Sequence, residues 1–196
     1  MRKGLIIGGV IVGLLLLGAI AFGGMFVTHR NTMVQQREAI EAAWSQVDVV
    51  IQRRADLIPN LVETVKGFAS QEQEVFSNIA SARAALGGAR SPAETIAAND
   101  QLTGALSRLL LIVENYPELR SNQNFIRLQD ELAGTENRIA VERRKYNESV
   151  QTFNTYIQLF PNNVVASMSG FSREDAYFRT SEEARQAPPP VNFSDQ

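Results

Sequence analysis

Residues 33–68 read MVQQREAIEAAWSQVDVVIQRRADLIPNLVETVKGF. Met33, Ile40, Trp44, Val47, Ile51, Ile58, Leu61, Val65 and Phe68 recur in steps of three and four or their sum. Such steps put side chains on one helix face, so the stretch predicts a long amphipathic helix. The remaining seam positions are Arg37 and Arg54. Pro59 removes one backbone N–H without shifting the phase, so a bend is expected inside a continuing helix. Lys66-Gly67 is a stop signal, with a cation in the last turn and glycine after it.

Toward the N-terminus lies a run of a different kind. Residues 4–27, GLIIGGVIVGLLLLGAIAFGGMFV, carry no charge. As a helix they span about 36 Å, enough for a hydrocarbon core of about 30 Å. Lipid offers no partner for backbone N–H and C=O, so an inserted run must be helical. The expected arrangement is a single-pass anchor, residues 1–29, carrying a domain over 30–180 and a Pro-rich tail over 181–196. A cleaved signal peptide competes with it, because Arg2-Lys3 and Ala19-Ile20-Ala21 fit that pattern. The run's length favours retention. Gly4, Gly8, Gly9 and Gly13 have the spacing that lets helices pack closely in lipid. Arg2, Lys3 and the α-amine on one flank against Arg30 and Arg37 on the other favour a domain outside the cytoplasm.

Toward the C-terminus the helical signals continue. Ser70-Gln71-Glu72-Gln73 reads as a capping-box start, followed by the seam Val75, Ile79, Ala82, Leu86 and the stop Gly87-Gly88. Ser91 is the next cap, with Pro92 at the first helical position and Glu94 three residues after the cap. Its seam is Leu102, Leu106, Leu109, Val113, Tyr116. A last helix begins near Leu119–Asn122, runs through Phe125, Leu128, Leu132, Thr135, Ile139, Glu142, Tyr146, Val150, Phe153, Ile157 and Phe160, and stops at Pro161. Phe171, Tyr177 and Phe178 can anchor a short segment beyond it. The expected fold is all-α: a transmembrane helix, then an up-and-down antiparallel bundle of four helices of roughly 36, 16, 25 and 40 residues. A three-helix version, with the first helix running on to Leu86, is the alternative.

Composition narrows the chemistry. There is no Cys, and the single His29 sits at the membrane boundary. Beyond the anchor, with Arg2 and Lys3 set aside, 17 basic residues face 21 acidic ones, a net −4 that argues against nucleic acid as a partner. A di-metal carboxylate site needs Glu-x-x-His pairs, which a bundle without His cannot supply. Ser and Thr lack a His base. No glycine-rich loop follows a strand, so nucleotide binding is unsupported. Neither an enzyme nor a cofactor is expected.

At this point several motifs carry a resemblance. Ala43-Trp44-Ser45-Gln46-Val47-Asp48 and the run Arg53 to Gly67 resemble the signature of the LemA family. So do Tyr116-Pro117-Glu118-Leu119, Gly134 to Ala140, Arg143 with Tyr146-Asn147, and Phe160-Pro161-Asn162-Asn163. The resemblance covers about residues 30–180 and implies a bacterial single-pass membrane protein with a helical-bundle domain. It implies no established chemistry.

Two function classes follow. One is a membrane-anchored scaffold or adaptor at the bacterial cell envelope, acting on an unknown protein partner or on a second copy of itself. The other is a small-molecule sensor or enzyme using a polar network of Arg53, Arg54, Asp56, Glu136, Asn137 and Arg143. Antiparallel pairing with Met33 near Ile157 sets Arg54 opposite Glu136, and Asp48 opposite Glu142 or Arg143. The short middle helices leave the membrane-proximal half of the long pair uncovered. Met33, Ile40, Trp44, Val47, Phe153 and Ile157 are therefore the expected interaction surface.

Overall fold

The computed structural model describes the backbone of residues 2–178, with side chains from Ile6 onward. The Pro-rich tail expected over 181–196 lies outside the described residues. Six helices and no strand occur among those described: α1 (Arg2–Lys66), α2 (Gln73–Gly88), α3 (Pro92–Val113), α4 (Pro117–Arg120), α5 (Gln123–Gln158) and α6 (Asn162–Ser169).

The apolar run and the first seam form one helix of 65 residues. No connection separates the span from the bundle, because nothing between Val27 and Met33 breaks a helix. The helix continues through Pro59 and stops at Lys66, as the Lys66-Gly67 signal requires, so the version running on to Leu86 does not form. The backbone N–H groups of Phe68 and Ala69 then bond back to the Val65 carbonyl and turn the chain.

The next start differs from the expected capping box. α2 begins at Gln73, and Glu72 makes no side-chain cap. Ala69 is buried, and the Glu72 carboxylate accepts instead from the Tyr116 hydroxyl at 3.3 Å. α3 opens as its sequence dictates. Ser91 Oγ accepts from the Glu94 N–H, and the Glu94 carboxylate accepts from the Arg90 N–H at 2.7 Å. The Asn122 side chain caps α5 by accepting from the N–H groups of Asn124 and Phe125.

α1 and α5 form a long antiparallel pair. Tyr156 lies at the level of His29, Tyr146 beside Trp44, and Glu136 beside Arg54. α2 and α3, joined by residues 89–91, pack as a hairpin against the membrane-distal half of that pair. The core follows the seams: Met33, Val47, Ile51, Ile58, Leu61, Val65, Ile79, Leu102, Leu109, Ile139, Tyr146 and Val150 are buried.

The membrane-proximal half is a correction to the sequence reading. Met33, Ile40, Val47, Phe153 and Ile157 are buried, and Trp44 is half-buried. The expected free surface is covered by the chain itself. α6 inserts Val165 and Ala166 into the core, and residues 171–178 run back along α5 as an extended strap. Directly after Pro161, where the sequence predicts no helix, a two-turn helix stands. Its two residues of core-facing apolar surface are too few to register as a seam.

Candidate functional site

Two constellations stand out, and both grow from α5. The first is a polar junction where α1, α3 and α5 meet. Arg54 sits on the α1 seam, so helix geometry forces its guanidinium inward, and its side chain is only 6% exposed. Its Nη1 lies 2.8 Å from Glu136 Oε2, donates to Thr103 Oγ1 at 3.0 Å, and reaches Asn99 Oδ1 at 3.4 Å. The Glu136 contact is electrostatic, without an in-line hydrogen bond. Burial pushes the guanidinium below its ordinary value. Glu136 opposes that shift, and Arg143 adds to it. A guanidinium so placed stays charged at physiological pH. Asn99 is buried beside it, with Nδ2 unpartnered among the described residues.

The six polar candidates divide. Arg54, Glu136 and Arg143 converge, Arg143 through Asp100 on α3 at 3.8 Å. Arg53 pairs with Glu131 at 3.4 Å on the exposed side of the same helices. Asp56 is exposed and accepts from Gln52 of its own helix. Asn137 is exposed and takes no part in the junction. Asp48 forms no ion pair with Arg143 among the described residues; Arg143 pairs with Asp100, and Glu142 with Lys145 at 2.8 Å. Among the other polar seam residues, Thr135 bonds the Leu132 carbonyl, and Arg37 points to solvent. Sequence reasoning missed Asn99, Asp100 and Thr103. The signal was present: one step of three back from Leu102 on the α3 seam lands on Asn99.

The second constellation holds the strap. Asn154 Oδ1 accepts from the Glu174 N–H at 2.9 Å, while its Nδ2 donates to the Glu174 carbonyl at 2.7 Å and to Tyr177 Oη. Asn147, two turns earlier on the same face, repeats the pattern with the N–H and carbonyl of Phe178. Each side-chain amide thus supplies the donor and acceptor that a neighbouring backbone would supply. Phe178 is buried between Trp44 and Tyr146, with ring centroids 6.1 and 5.9 Å away, and the Arg143 guanidinium lies 4.3 Å from its centroid. That geometry adds a cation–π attraction to the apolar burial. Phe171 packs on Phe153. Burial raises the Tyr146 phenol to about 12, with Glu174 and Tyr177 adding to the shift.

Between α1 and α2 lies a cleft of about 450 Å³ lined by Ile58, Pro59, Val62, Phe76, Ile79 and Arg83, among others. Pro59 has no N–H, so the Ala55 carbonyl loses its helical partner. Arg83 Nε from α2 donates to that carbonyl at 3.3 Å. Arg54, Asn99 and Glu136 do not line this cleft. No group of His, Cys, Asp and Glu able to hold a metal occurs among the described residues. Gly8, Gly9 and Gly13 have open space where a Cβ would stand, and Gly4 precedes the residues whose side-chain surroundings are described.

Sequence comparison relates the chain to one family and to several bacterial proteins. The sequence pattern of the LemA family matches residues 43–193. Magnetosome protein MamQ 2 of Paramagnetospirillum magneticum is 30% identical over 189 residues, covering 83% of this chain and 69% of the relative. Magnetosome protein MamQ of Magnetospirillum gryphiswaldense is 28% identical over 188 residues, with the same coverage. Protein LemA of Metamycoplasma hominis is 26% identical over 146 residues, covering 72% of this chain and 65% of that protein. With its apolar N-terminal helix, its helical bundle and a family match over most of its length, the chain belongs to the LemA family.

Proposed function

We propose that this protein is a membrane-anchored scaffold or adaptor at the bacterial cell envelope, acting by protein–protein interaction and not by catalysis. The observation that carries the reading is the unbroken α1. From Thr28 to Lys66 it projects about 58 Å beyond the span at about 1.5 Å per residue. The bundle is built on that same helix, so its attitude to the membrane is rigid. A rigid post suits presentation of a surface at fixed height better than it suits turnover. Leu110, Leu111 and Ile126 are exposed near the far end, beside a cleft lined by Val113 and Phe125, where a partner would bury them. The relatives named above carry the name of a bacterial structure or of the family, not of a reaction. The Arg2-Lys3 flank favours a bundle outside the cytoplasm.

The alternative, a small-molecule sensor or enzyme at the polar junction, draws on the unpartnered Asn99 Nδ2. One experiment separates the two. Crosslinked detergent extracts of membranes bearing the parent chain are compared with extracts bearing Leu111→Glu. A stoichiometric protein captured by the parent and lost in the variant supports the scaffold. A bound small molecule without a protein partner supports the junction instead.

A further inference from the structure

The membrane-proximal end of the bundle is unlike the rest of its surface. From Ser149 to Ser172 the chain runs 24 residues without a charge. This stretch contains the end of α5, the turn at 159–161 and all of α6. Its height above the membrane is set by Tyr156, whose hydroxyl lies 2.8 Å from His29 Nδ1, just past the end of the span. The turn that follows Tyr156 therefore sits at the level of the span's last residues.

Two further observations agree with that level. The run over 4–27 is about 36 Å long against a core of about 30 Å, so it is long enough to carry a few residues past the hydrocarbon. Met25 and Phe26 stand at its C-terminal end. They are half-buried, and Phe26 packs on the core, whereas nearly all of the described run before them is exposed. The base of the bundle thus reaches the edge of the apolar run. On its outer side it presents Phe160 at 84% exposure, Met168 at 65%, Leu159 at 56% and Val164 at 42%. Val164 and Met168 are one turn apart on α6, while Val165 and Ala166 fill the opposite face. Phe160 continues the α5 seam yet lies outside the core.

We propose that the α5–α6 turn and the outer face of α6 form a foot that rests in the interfacial layer of the bilayer crossed by α1. Phe160, Leu159, Val164 and Met168 enter the headgroup–acyl boundary there. The absence of charge on the foot removes the cost of bringing it against lipid. Interfacial helices bury an apolar face about 5–10 Å into that layer, a depth one turn of side chains can reach. The foot rests on retention of the span and extends the membrane contact from one helix to the base of the whole bundle. It would also cover apolar area that the folded chain leaves open.

The chain has no cysteine, so single nitroxide labels can be placed without removing native thiols. The full chain is labelled at Phe160→Cys, Met168→Cys, Val10→Cys or Leu111→Cys and reconstituted in vesicles of phosphatidylcholine and phosphatidylglycerol. Collision with oxygen and with a water-soluble nickel chelate reports depth. The foot predicts a several-fold higher oxygen-to-nickel ratio at Phe160→Cys and Met168→Cys than at Leu111→Cys, with Val10→Cys deeper still. Water-like labels at both foot positions with Val10→Cys in lipid overturn the foot and leave the anchor standing. A water-like label at Val10→Cys overturns anchor and foot together. Exclusion of both reagents with spin–spin broadening at Phe160→Cys assigns the patch to a second copy and overturns the lipid contact.

Discussion

The long α1–α5 pair is covered in two different ways along its length. Near the membrane, α6 and the strap close an apolar and aromatic seam, and the polar groups involved pair with backbone. Farther out, the α2–α3 hairpin closes the pair through a buried cation, Arg54, and leaves a cleft of about 450 Å³ beside Pro59. The proximal half derives its stability from area removed from water. The distal half holds a charge that its neighbours must compensate, and a guanidinium without partners in an apolar site is costly.

The largest test of this contrast is in the proximal half. Phe153 is buried against Phe171, so Phe153→Ala should cost about 3–5 kcal/mol, read by denaturant unfolding in detergent. In the distal half the ranking should depend on which partner is removed. Glu136→Ala strands the buried Arg54. Breaking a buried pair costs about 3–5 kcal/mol, but Glu136 is 44% exposed and water can reach the gap, so about 2 kcal/mol is expected. Arg54→Met removes the charge and keeps most of the volume, and should cost less than Glu136→Ala. Equal costs would mean that Arg54 is not a buried charge in solution.

The strap should respond locally. Asn154→Ala and Asn147→Ala each leave backbone groups of the strap unpaired, at about 1–2 kcal/mol apiece. Amide exchange at Glu174 and Phe178 should accelerate, while amides of α2 and α3 keep their protection. Arg83→Ala should cost about 1 kcal/mol by stranding the Ala55 carbonyl. In a Pro59→Ala background the helix supplies that carbonyl's partner itself, so the same change should then cost close to nothing. Additive effects in this double-mutant cycle would show that Arg83 is not serving the proline gap.

The smallest effect is a matter of pH. Tyr146 ionises near 12 in the folded chain, above its ordinary value near 10. A raised folded pKa means that its contribution is complete below about 10 and is lost as pH rises toward 12. In an alkaline absorbance titration Tyr146 should ionise late, and Tyr146→Phe should remove that late step.

The legible parts of this protein are those with period and punctuation. The span, the α1, α2, α3 and α5 seams, the stop at Lys66 and the cap at Ser91 follow from local rules, because a helix needs only its own residues to declare its apolar face. The Arg54–Glu136 contact was also legible, since antiparallel pairing of two long seams leaves one register. Asn99 and Asp100 were not read, although the α3 seam passes through Asn99, because polar side chains on a seam lose their signal in a hydrophobic pattern.

What only the tertiary structure decided is where the chain goes after Pro161. An eight-residue helix and an extended strap have too few residues to show a period, and their positions depend on partners far away in sequence. Asn147 and Asn154 look like ordinary surface amides until backbone from residues 174–178 lies against them. Arg83 likewise has no visible purpose until Pro59 opens a carbonyl on another helix. The sequence by itself determined the apolar span, the four longer helices and the antiparallel register of α1 with α5. The tertiary structure decided how the proximal seam is covered and which polar groups meet, because hydrogen bonds between distant segments leave no mark on the periodicity of either one.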